Sequence, residues 1–85
     1  MSPFQVDWVP DVLGDLANIW RRATDRKAVT QAQAEIDRLL SRDPLRYGQH
    51  LAEGLYQLRV TPLQVTFTIN YPLRHVEVTS IRRQA

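Results

Sequence analysis

The sequence predicts an α+β domain in which an antiparallel helical hairpin packs on a twisted, mainly antiparallel four-stranded sheet, in the order β-α-α-β-β-β. Two observations predict it. Apolar and polar residues alternate with a period of two over residues 63–70, which is typical of a strand with one buried face. Between residues 10 and 43 apolar residues instead recur with helical spacing. The 85 residues suffice for a single domain, residues 1–85, with one modest core.

The first strand and the start of the first helix follow from the N-terminal residues. Phe4, Val6 and Trp8 alternate with polar or smaller residues, which predicts a strand with an aromatic face. Pro10 ends this strand and suits the first turn of a helix, where Asp11 is favourable. Because the strand has no sequential neighbour, we expect it to pair within the same sheet as the later strands.

Two amphipathic helices follow. The first carries the apolar stripe Val12, Leu13, Leu16, Ile19, Trp20 and Ala23, and the second carries Val29, Ala32, Ile36, Leu39 and Leu40. Thr24-Asp25 separates them and offers an N-cap, while Asp43-Pro44 ends the second helix. The short connection predicts an antiparallel hairpin. Trp8 and Trp20 both lie on apolar stripes and are predicted to be core residues.

The C-terminal half predicts a three-stranded meander. Residues 46–53 (RYGQHLAE) lack clear periodicity and are predicted to form a loop beside the sheet. The strands that follow are separated by Thr61-Pro62 and Tyr71-Pro72. The predicted polar face of the meander carries Gln57, Arg59, Gln64, Thr66, Thr68, His75, Glu77 and Thr79.

The composition indicates in which cellular compartment the protein is expected. There is no cysteine, hence neither a disulfide nor a thiolate metal site, and no apolar run approaches membrane-spanning length. The N-terminus does not resemble a signal peptide, so a cytoplasmic location without membrane contact is expected.

Basic residues are distributed unevenly along the chain. Residues 1–43 carry six basic and seven acidic side chains, whereas residues 44–85 carry five basic and two acidic ones. Ten of the eleven basic residues are arginine. This bias suits phosphate binding, and a GC-rich genome would also produce it.

Few residues have side chains that could take part in catalysis or ligand binding. The sequence contains no phosphate-binding glycine loop, no metal-ligand spacing and no nucleophile elbow, so no cofactor and no metal are expected. His50 and His75 are the candidates for proton transfer near neutral pH. Arg59, Arg82 and Arg83 are the candidates for binding a phosphate and stabilising charge on it. The alternative for these arginines is that they keep strand edges and ends soluble.

The sequence resembles the RelE/ParE superfamily of toxins from bacterial type II toxin–antitoxin modules. The matching residues run from Val6-x-Trp8-x-Pro10 and Asp15-Leu16-x-x-Ile19, through Ile36-x-x-Leu39, Asp43-Pro44 and Gly48, to Gly54-Leu55-Tyr56-x-Leu58, PLQVTFTI and VEVTSIRR. The resemblance covers nearly the whole chain. It implies the helical hairpin on a twisted sheet, a cognate antitoxin as partner, and a place in plasmid-stabilisation systems that inhibit growth.

The resemblance implies two different activities. RelE-like members cut mRNA in the ribosomal A site without a metal, as mRNA interferases, using basic, His or Tyr side chains on the open sheet face and near the C-terminus. ParE-like members inhibit DNA gyrase without nuclease chemistry. Arg59 and either Arg82 or Arg83 match basic positions of the nuclease members. Gln57 and Gln64, however, stand where those members often carry a cation, and Phe67 stands where many carry tyrosine.

The first hypothesis is therefore a RelE-like endoribonuclease that acts on ribosome-associated mRNA. Arg59, Arg82 and Arg83 would hold the phosphate, and His75 or His50 would exchange protons. The alternatives are a ParE-like toxin that inhibits gyrase by contact, and a degenerate toxin that only binds its antitoxin.

Overall fold

The computed structural model describes residues 3–84 as two layers, a helical hairpin on one face of a mixed sheet. The elements in order are β1 (Gln5–Trp8), α1 (Pro10–Arg22), α2 (Arg26–Arg42), α3 (Pro44–Tyr47), β2 (Gln49–Ala52), β3 (Leu55–Val60), β4 (Leu63–Asn70) and β5 (His75–Arg83). The strands lie in the order β1-β5-β4-β3-β2, with β1 parallel to β5 and all other pairs antiparallel. The α+β fold is confirmed, including the pairing of β1 within the common sheet.

The sheet has five strands rather than the predicted four. The additional strand, β2, lies in the segment predicted to be a loop and pairs with β3. All four of its residues are exposed, so burial imposes no alternation on their sequence. Its register is interrupted by a bulge between His50 and Ala52. An exposed edge strand of this kind leaves no hydrophobic period to detect.

The helix ends follow the predicted signals. Pro10 occupies the first turn of α1, and the Asp25 side chain caps α2 by accepting a hydrogen bond from the Ala28 amide at 3.0 Å. Asp43 ends α2 and begins α3, because its carboxylate accepts from the Arg46 amide at 3.2 Å. In residues 3–84, no helix is long and apolar enough to cross a membrane.

The core lies between the helices and one face of the sheet. Its buried members are Phe4, Val12, Leu16, Val29, Ala32, Ile36, Leu40, Leu58, Leu63, Val65, Phe67, Val76 and Val78. Trp8 packs against this cluster. The prediction for Trp20 was wrong, because its side chain is 41% exposed and lies under the guanidinium of Arg26, 4.7 Å from the ring centroid. The helical stripe is wider than the sheet can cover.

Candidate functional site

The sheet face opposite the helices, called the open face below, carries two arginines in one cross-strand row. Arg59 of β3 pairs with Gln64 of β4, and Gln64 pairs with Arg82 of β5. Residues directly opposite on neighbouring strands share a face and lie about 5 Å apart between Cβ atoms. The row Arg59–Gln64–Arg82 therefore places two exposed cations on either side of one amide.

A bulge in β5 decides which of the two C-terminal arginines joins this row. Thr66 pairs with Ser80 but Phe67 pairs with Val78, so Thr79 is an extra residue in β5. The hydroxyl of Thr66 bonds the Ser80 hydroxyl and lies 3.3 Å from the Thr79 hydroxyl, which places both residues of β5 on the open face. After the bulge the alternation resumes one residue later. Ile81 packs against the core, and Arg82 returns to the open face.

Arg83 lies on the opposite side of the sheet. Its neighbours in a shallow cleft are Thr24, Asp25 and Ala28 at the helical hairpin and Pro62 in the β3–β4 turn. Arg82 and Arg83, which the sequence treats as equivalent candidates, are thus separated by the thickness of the sheet. Only Arg82 can share a ligand with Arg59.

Three glutamines form a hydrogen-bonded chain that leads into the row. Gln57 Nε2 donates to Gln49 Oε1 at 3.4 Å, and Gln64 Nε2 donates to Gln57 Oε1 at 2.8 Å. Gln64 is only 5% exposed although it lies on the open face, and its Oε1 is buried without a hydrogen-bond partner among residues 3–84. Buried polar atoms are rarely left in this state.

Gln64 also borders a recess of the open face. The recess has a volume of about 390 Å³, and its lining residues are Leu51, Gln57, Gln64, Thr66, Ser80, Ile81 and Arg82. The side chains on this face are one aliphatic residue, two amides, two hydroxyl groups and one guanidinium, whereas the Ile81 side chain packs against the core. Sequence reasoning missed this recess, because its polar centre depends on the bulge and on the exposed edge strand β2.

His75 lies at the other end of the open face. Its Nε2 is 2.6 Å from Oδ2 of Asp7, the residue that pairs with Glu77 on the neighbouring strand. Seven residues of extended strand separate His75 from Arg82, a distance of roughly 20 Å. The carboxylates of Asp7 and Glu77 make this end of the open face acidic, whereas the row Arg59–Gln64–Arg82 at the other end is basic. The structure does not bring His75 to the arginine row.

His50 also lies away from the row. It pairs with Tyr56, whose ring centroid is 5.4 Å from that of the imidazole. Tyr56 in turn stacks on the buried Phe67 at 5.8 Å. These contacts place His50 on the helical side of the sheet, behind the recess. Of the predicted site residues, the structure therefore brings together Arg59 and Arg82 only.

The tyrosines do not supply a proton-transfer group to the row either. Tyr71 lies in the β4–β5 turn, with its ring centroid 6.1 Å from that of Phe4 in an edge-to-face contact. Desolvation, together with the nearby Tyr56 and Asp43, raises the pKa of Tyr71 above 10.0. Tyr47 ends α3, where the Arg46 guanidinium lies 5.7 Å from its ring centroid.

Comparison with known proteins identifies the fold. No family model matches the sequence, and no curated protein matches it. Among solved structures, a chain of the toxin–antitoxin complex RelBE2 from Mycobacterium tuberculosis has a TM-score of 0.83 at 20% identity, covering 100% of this chain and 95% of that one. The chain has the RelE/ParE toxin fold.

Two further structures with the RelE/ParE fold show how widely it is shared. A chain of the chromosomal ParDE system from P. aeruginosa matches with a TM-score of 0.73 at 15% identity, over 96% of this chain and 97% of that one. A mutant of the E. coli toxin RelE in the free state matches with a TM-score of 0.65 at 15% identity, over 98% and 84%. The likeness spans both RelE and ParE proteins, so it establishes the fold and does not distinguish their activities.

Proposed function

We propose that this chain is the toxin of a type II toxin–antitoxin module and that a cognate antitoxin neutralises it. The support is the RelE/ParE fold over the whole of residues 3–84, shared with chains of the RelBE2 and ParDE complexes. The module predicts a neighbouring gene for a small protein that suppresses the toxicity of this chain when both are expressed.

For the target we propose ribosome-associated mRNA, bound through the row Arg59–Gln64–Arg82. The observation that carries this proposal is the alignment of two exposed guanidinium groups across three adjacent strands of an open sheet face. Guanidinium groups bind phosphate oxygens through two parallel hydrogen bonds, and two of them in register suit a phosphate chain that runs across the strands.

We further propose that binding, without cleavage, inhibits translation. Cleavage by the neighbouring 2′-hydroxyl needs a group that takes a proton and one that supplies a proton. In residues 3–84 the side chains at the row are arginine, glutamine, serine and threonine, which do not exchange protons near neutral pH. Both histidines lie elsewhere. The row can hold a phosphate, and it offers no side chain suited to proton transfer.

The test is to induce the chain in growing cells and measure translation together with the 5′ ends of mRNA. We expect translation to stop without new ribosome-dependent 5′ ends. The Arg82→Ala variant should relieve inhibition by at least about tenfold, because a charge-assisted hydrogen bond contributes about 1.5–3 kcal/mol.

Arg83→Ala is the matched control, since it removes the same charge one residue away on the opposite face of the sheet. It should remain inhibitory. Ribosome-dependent cuts that disappear in Arg82→Ala would instead establish the endoribonuclease activity and overturn inhibition by binding alone. If Arg82→Ala and Arg83→Ala relieve inhibition equally, the open face is not the surface that binds mRNA.

A second candidate function, ParE-like inhibition of DNA gyrase by contact, is favoured by an apolar groove on the helical hairpin. Leu13 is 47% exposed and Trp20 is 41% exposed, and both line this groove together with Val29. Exposed apolar surface of this kind is typical of protein-binding sites. Purified protein at micromolar concentration should then inhibit supercoiling, Leu13→Asp should abolish the inhibition, and Arg82→Ala should not. Unchanged supercoiling would eliminate this candidate.

A further inference from the structure

The end of the molecule where α2 stops carries an apolar cleft that is bordered by cations. The cleft has a volume of about 280 Å³, and its lining residues are Phe4, Arg42, Asp43, Pro44, Leu45, Tyr71 and Arg74. Leu45 of α3 is 49% exposed and Tyr71 of the β4–β5 turn is 46% exposed. Leu73, in the same turn, is exposed as well. Exposed apolar side chains that lie together are typical of a binding surface.

The backbone of Arg74 is held in a conformation that suits glycine better than arginine. Its φ is 52°, in the left-handed region that is disfavoured for a residue with a Cβ. The Arg74 guanidinium lies 5.2 Å from the ring centroid of Phe4, a core residue on the helical side of the sheet. A residue with a strained backbone whose side chain reaches a cleft points to a role for that side chain.

The charge at the cleft is unbalanced within the chain itself. Among residues 3–84, neither Arg42 nor Arg74 forms an ion pair. One carboxylate lines the cleft, that of Asp43, and it caps α3 by accepting from the Arg46 amide at 3.2 Å. The two guanidinium groups therefore outnumber a carboxylate that is already engaged. The cleft is complementary to an anionic ligand with an apolar part.

We propose that this cleft binds a segment of a partner protein in which one apolar side chain is flanked by carboxylates. The apolar side chain would pack on Leu45 and Tyr71, and the carboxylates would pair with Arg42 and Arg74. A volume of about 280 Å³ is small for a ligand cavity and suits a single inserted side chain. Apolar burial then contributes to affinity, and the charge pairs select acidic segments over basic ones.

A protein segment suits the cleft better than a nucleic acid does. Bases bind by stacking on aromatic faces. Of the two aromatic rings at the cleft, Phe4 is 9% exposed and lies beneath the Arg74 guanidinium. The exposed aliphatic surface of Leu45 offers a base no hydrogen bond. The cleft also lies at the opposite end of β5 from Arg82, so this inference does not depend on RNA binding at the arginine row.

The experiment titrates the isotope-labelled full chain with a Gly/Ser peptide that carries one Glu-Glu-Leu-Glu-Glu sequence, and NMR follows the backbone amides. Two matched peptides replace the glutamates by glutamine or the leucine by serine. We expect the acidic leucine peptide to bind more tightly than either of them. Its binding should shift the amides of residues 42–45 and 71–74 and leave those of Arg59 and Arg82 in place.

Arg74→Gly removes the cation from the cleft without straining the backbone. Glycine adopts a φ of 52° readily, so the variant should stay folded, which urea unfolding verifies. We expect it to bind the acidic leucine peptide about fivefold more weakly, the upper end for an ion pair at a surface. Leu45→Ser should weaken the same peptide and leave the preference for glutamate over glutamine intact.

Arg22→Ala is the matched control, since it removes an exposed arginine at the end of α1, next to the turn of the helical hairpin. The 17 residues of α2 separate that turn from the cleft, a distance of about 25 Å. The control should bind all three peptides as the wild type does.

Three outcomes would overturn the inference. The first is equal binding of the three peptides, or equal binding by wild type and Arg74→Gly. The second is a short single-stranded RNA that shifts the cleft amides when the acidic peptide does not, which would assign the cleft to nucleic acid. The third is a shift of the same amides with protein concentration alone, which would assign it to a second copy of the chain. Arg82→Ala tests the arginine row separately, so the proposed function stands or fails on its own result.

Discussion

At the scale of single residues, the connection between α3 and β2 requires a glycine, Gly48. A Cβ at Gly48 would lie 2.5 Å from Cζ of Phe67 and 2.7 Å from the carbonyl oxygen of Pro44. Phe67 is completely buried at the centre of the sheet and is held by Tyr56 on one side. Neither neighbour can therefore move freely, and the backbone approaches the ring closely only because position 48 has no side chain.

Gly48→Ala is expected to destabilise the protein by about 1–3 kcal/mol, because the added methyl group forces the aromatic core apart. Gly14→Ala is the matched control. Gly14 lies inside α1 with nothing within 4 Å of an added Cβ, so the substitution should stabilise the protein by up to about 1 kcal/mol. Urea unfolding of both variants measures the difference. Loss of stability of similar size at both positions would contradict the close packing at Gly48.

At the scale of secondary-structure elements, the bulge in β5 is the feature that shapes the candidate site. Without Thr79 as an extra residue, the alternation that buries Val76 and Val78 would point Ile81 to solvent and Arg82 into the helical layer. The bulge restores Ile81 to the core and Arg82 to the open face. One unpaired residue thus places a cation where a ligand can reach it.

A second feature of this scale joins the edge strand β1 to α2. Trp8 Nε1 donates to Asp37 Oδ1 at 2.6 Å, and the Phe4 amide donates to the Ser41 carbonyl at 2.8 Å. Burial raises the pKa of Asp37 above its usual value of 3.8, and the bond from Trp8 offsets only part of that shift. The surroundings of this carboxyl group therefore disfavour its ionised form.

Asp37→Asn is expected to stabilise the protein at pH 7, because the amide oxygen can still accept from Trp8 and carries no charge to desolvate. The folded protein holds the Asp37 proton more tightly than the unfolded chain does. The contribution of Asp37 to the free energy of unfolding of the wild type therefore falls as the pH rises from 3.8 through the raised pKa. The gain in stability of Asp37→Asn over the wild type grows across the same pH range.

Urea unfolding of both proteins between pH 4 and pH 7 measures this advantage. Asp15→Asn, which removes an exposed carboxylate on α1, is the matched control and is measured over the same pH range. A variant less stable than wild type at pH 7 would mean that the charge-assisted bond to Trp8 outweighs the cost of burial.

At the scale of the whole molecule, the two layers give the sheet two different surfaces. The helices cover one face, which becomes the core, and the other face carries charge in an uneven pattern. Asp7 on β1 and Glu77 on β5 lie together at one end of the sheet. Arg59 on β3 and Arg82 on β5 lie together at the other end. An anionic strand should approach the basic end and avoid the acidic one, where His75 is bound to Asp7.

This distribution predicts how RNA affinity depends on salt. Contacts from Arg59 and Arg82 to two phosphates should give a slope of about −1.4 when the logarithm of the association constant is plotted against that of the salt concentration. Arg82→Ala should reduce the slope to about −0.7, and Arg83→Ala should leave it unchanged. Fluorescence anisotropy over a salt series measures it. The same slope for wild type and Arg82→Ala would show that Arg82 contacts no phosphate.

The fold was largely predictable from the sequence, and the candidate site was not. Alternation over residues 63–70 and helical spacing over residues 10–42 are strong signals because each follows from burial of one face. β2 gave no signal, since none of its residues is buried. The bulge left a trace that can be recognised afterwards: buried Val76 and Val78 are followed by a core contact at Ile81, a step of three instead of two.

The amino-acid sequence by itself determined the two layers, the helix ends and the apolar side of the central strands. Those features depend on periodicity and capping, which are local along the chain. Only the folded molecule assigned Arg82 to the open face and Arg83 to the other, separated both histidines from the arginine row, and buried Gln64. These depend on strand register and on side chains from neighbouring strands, and residues far apart in the sequence acquire such relations only when the sheet forms.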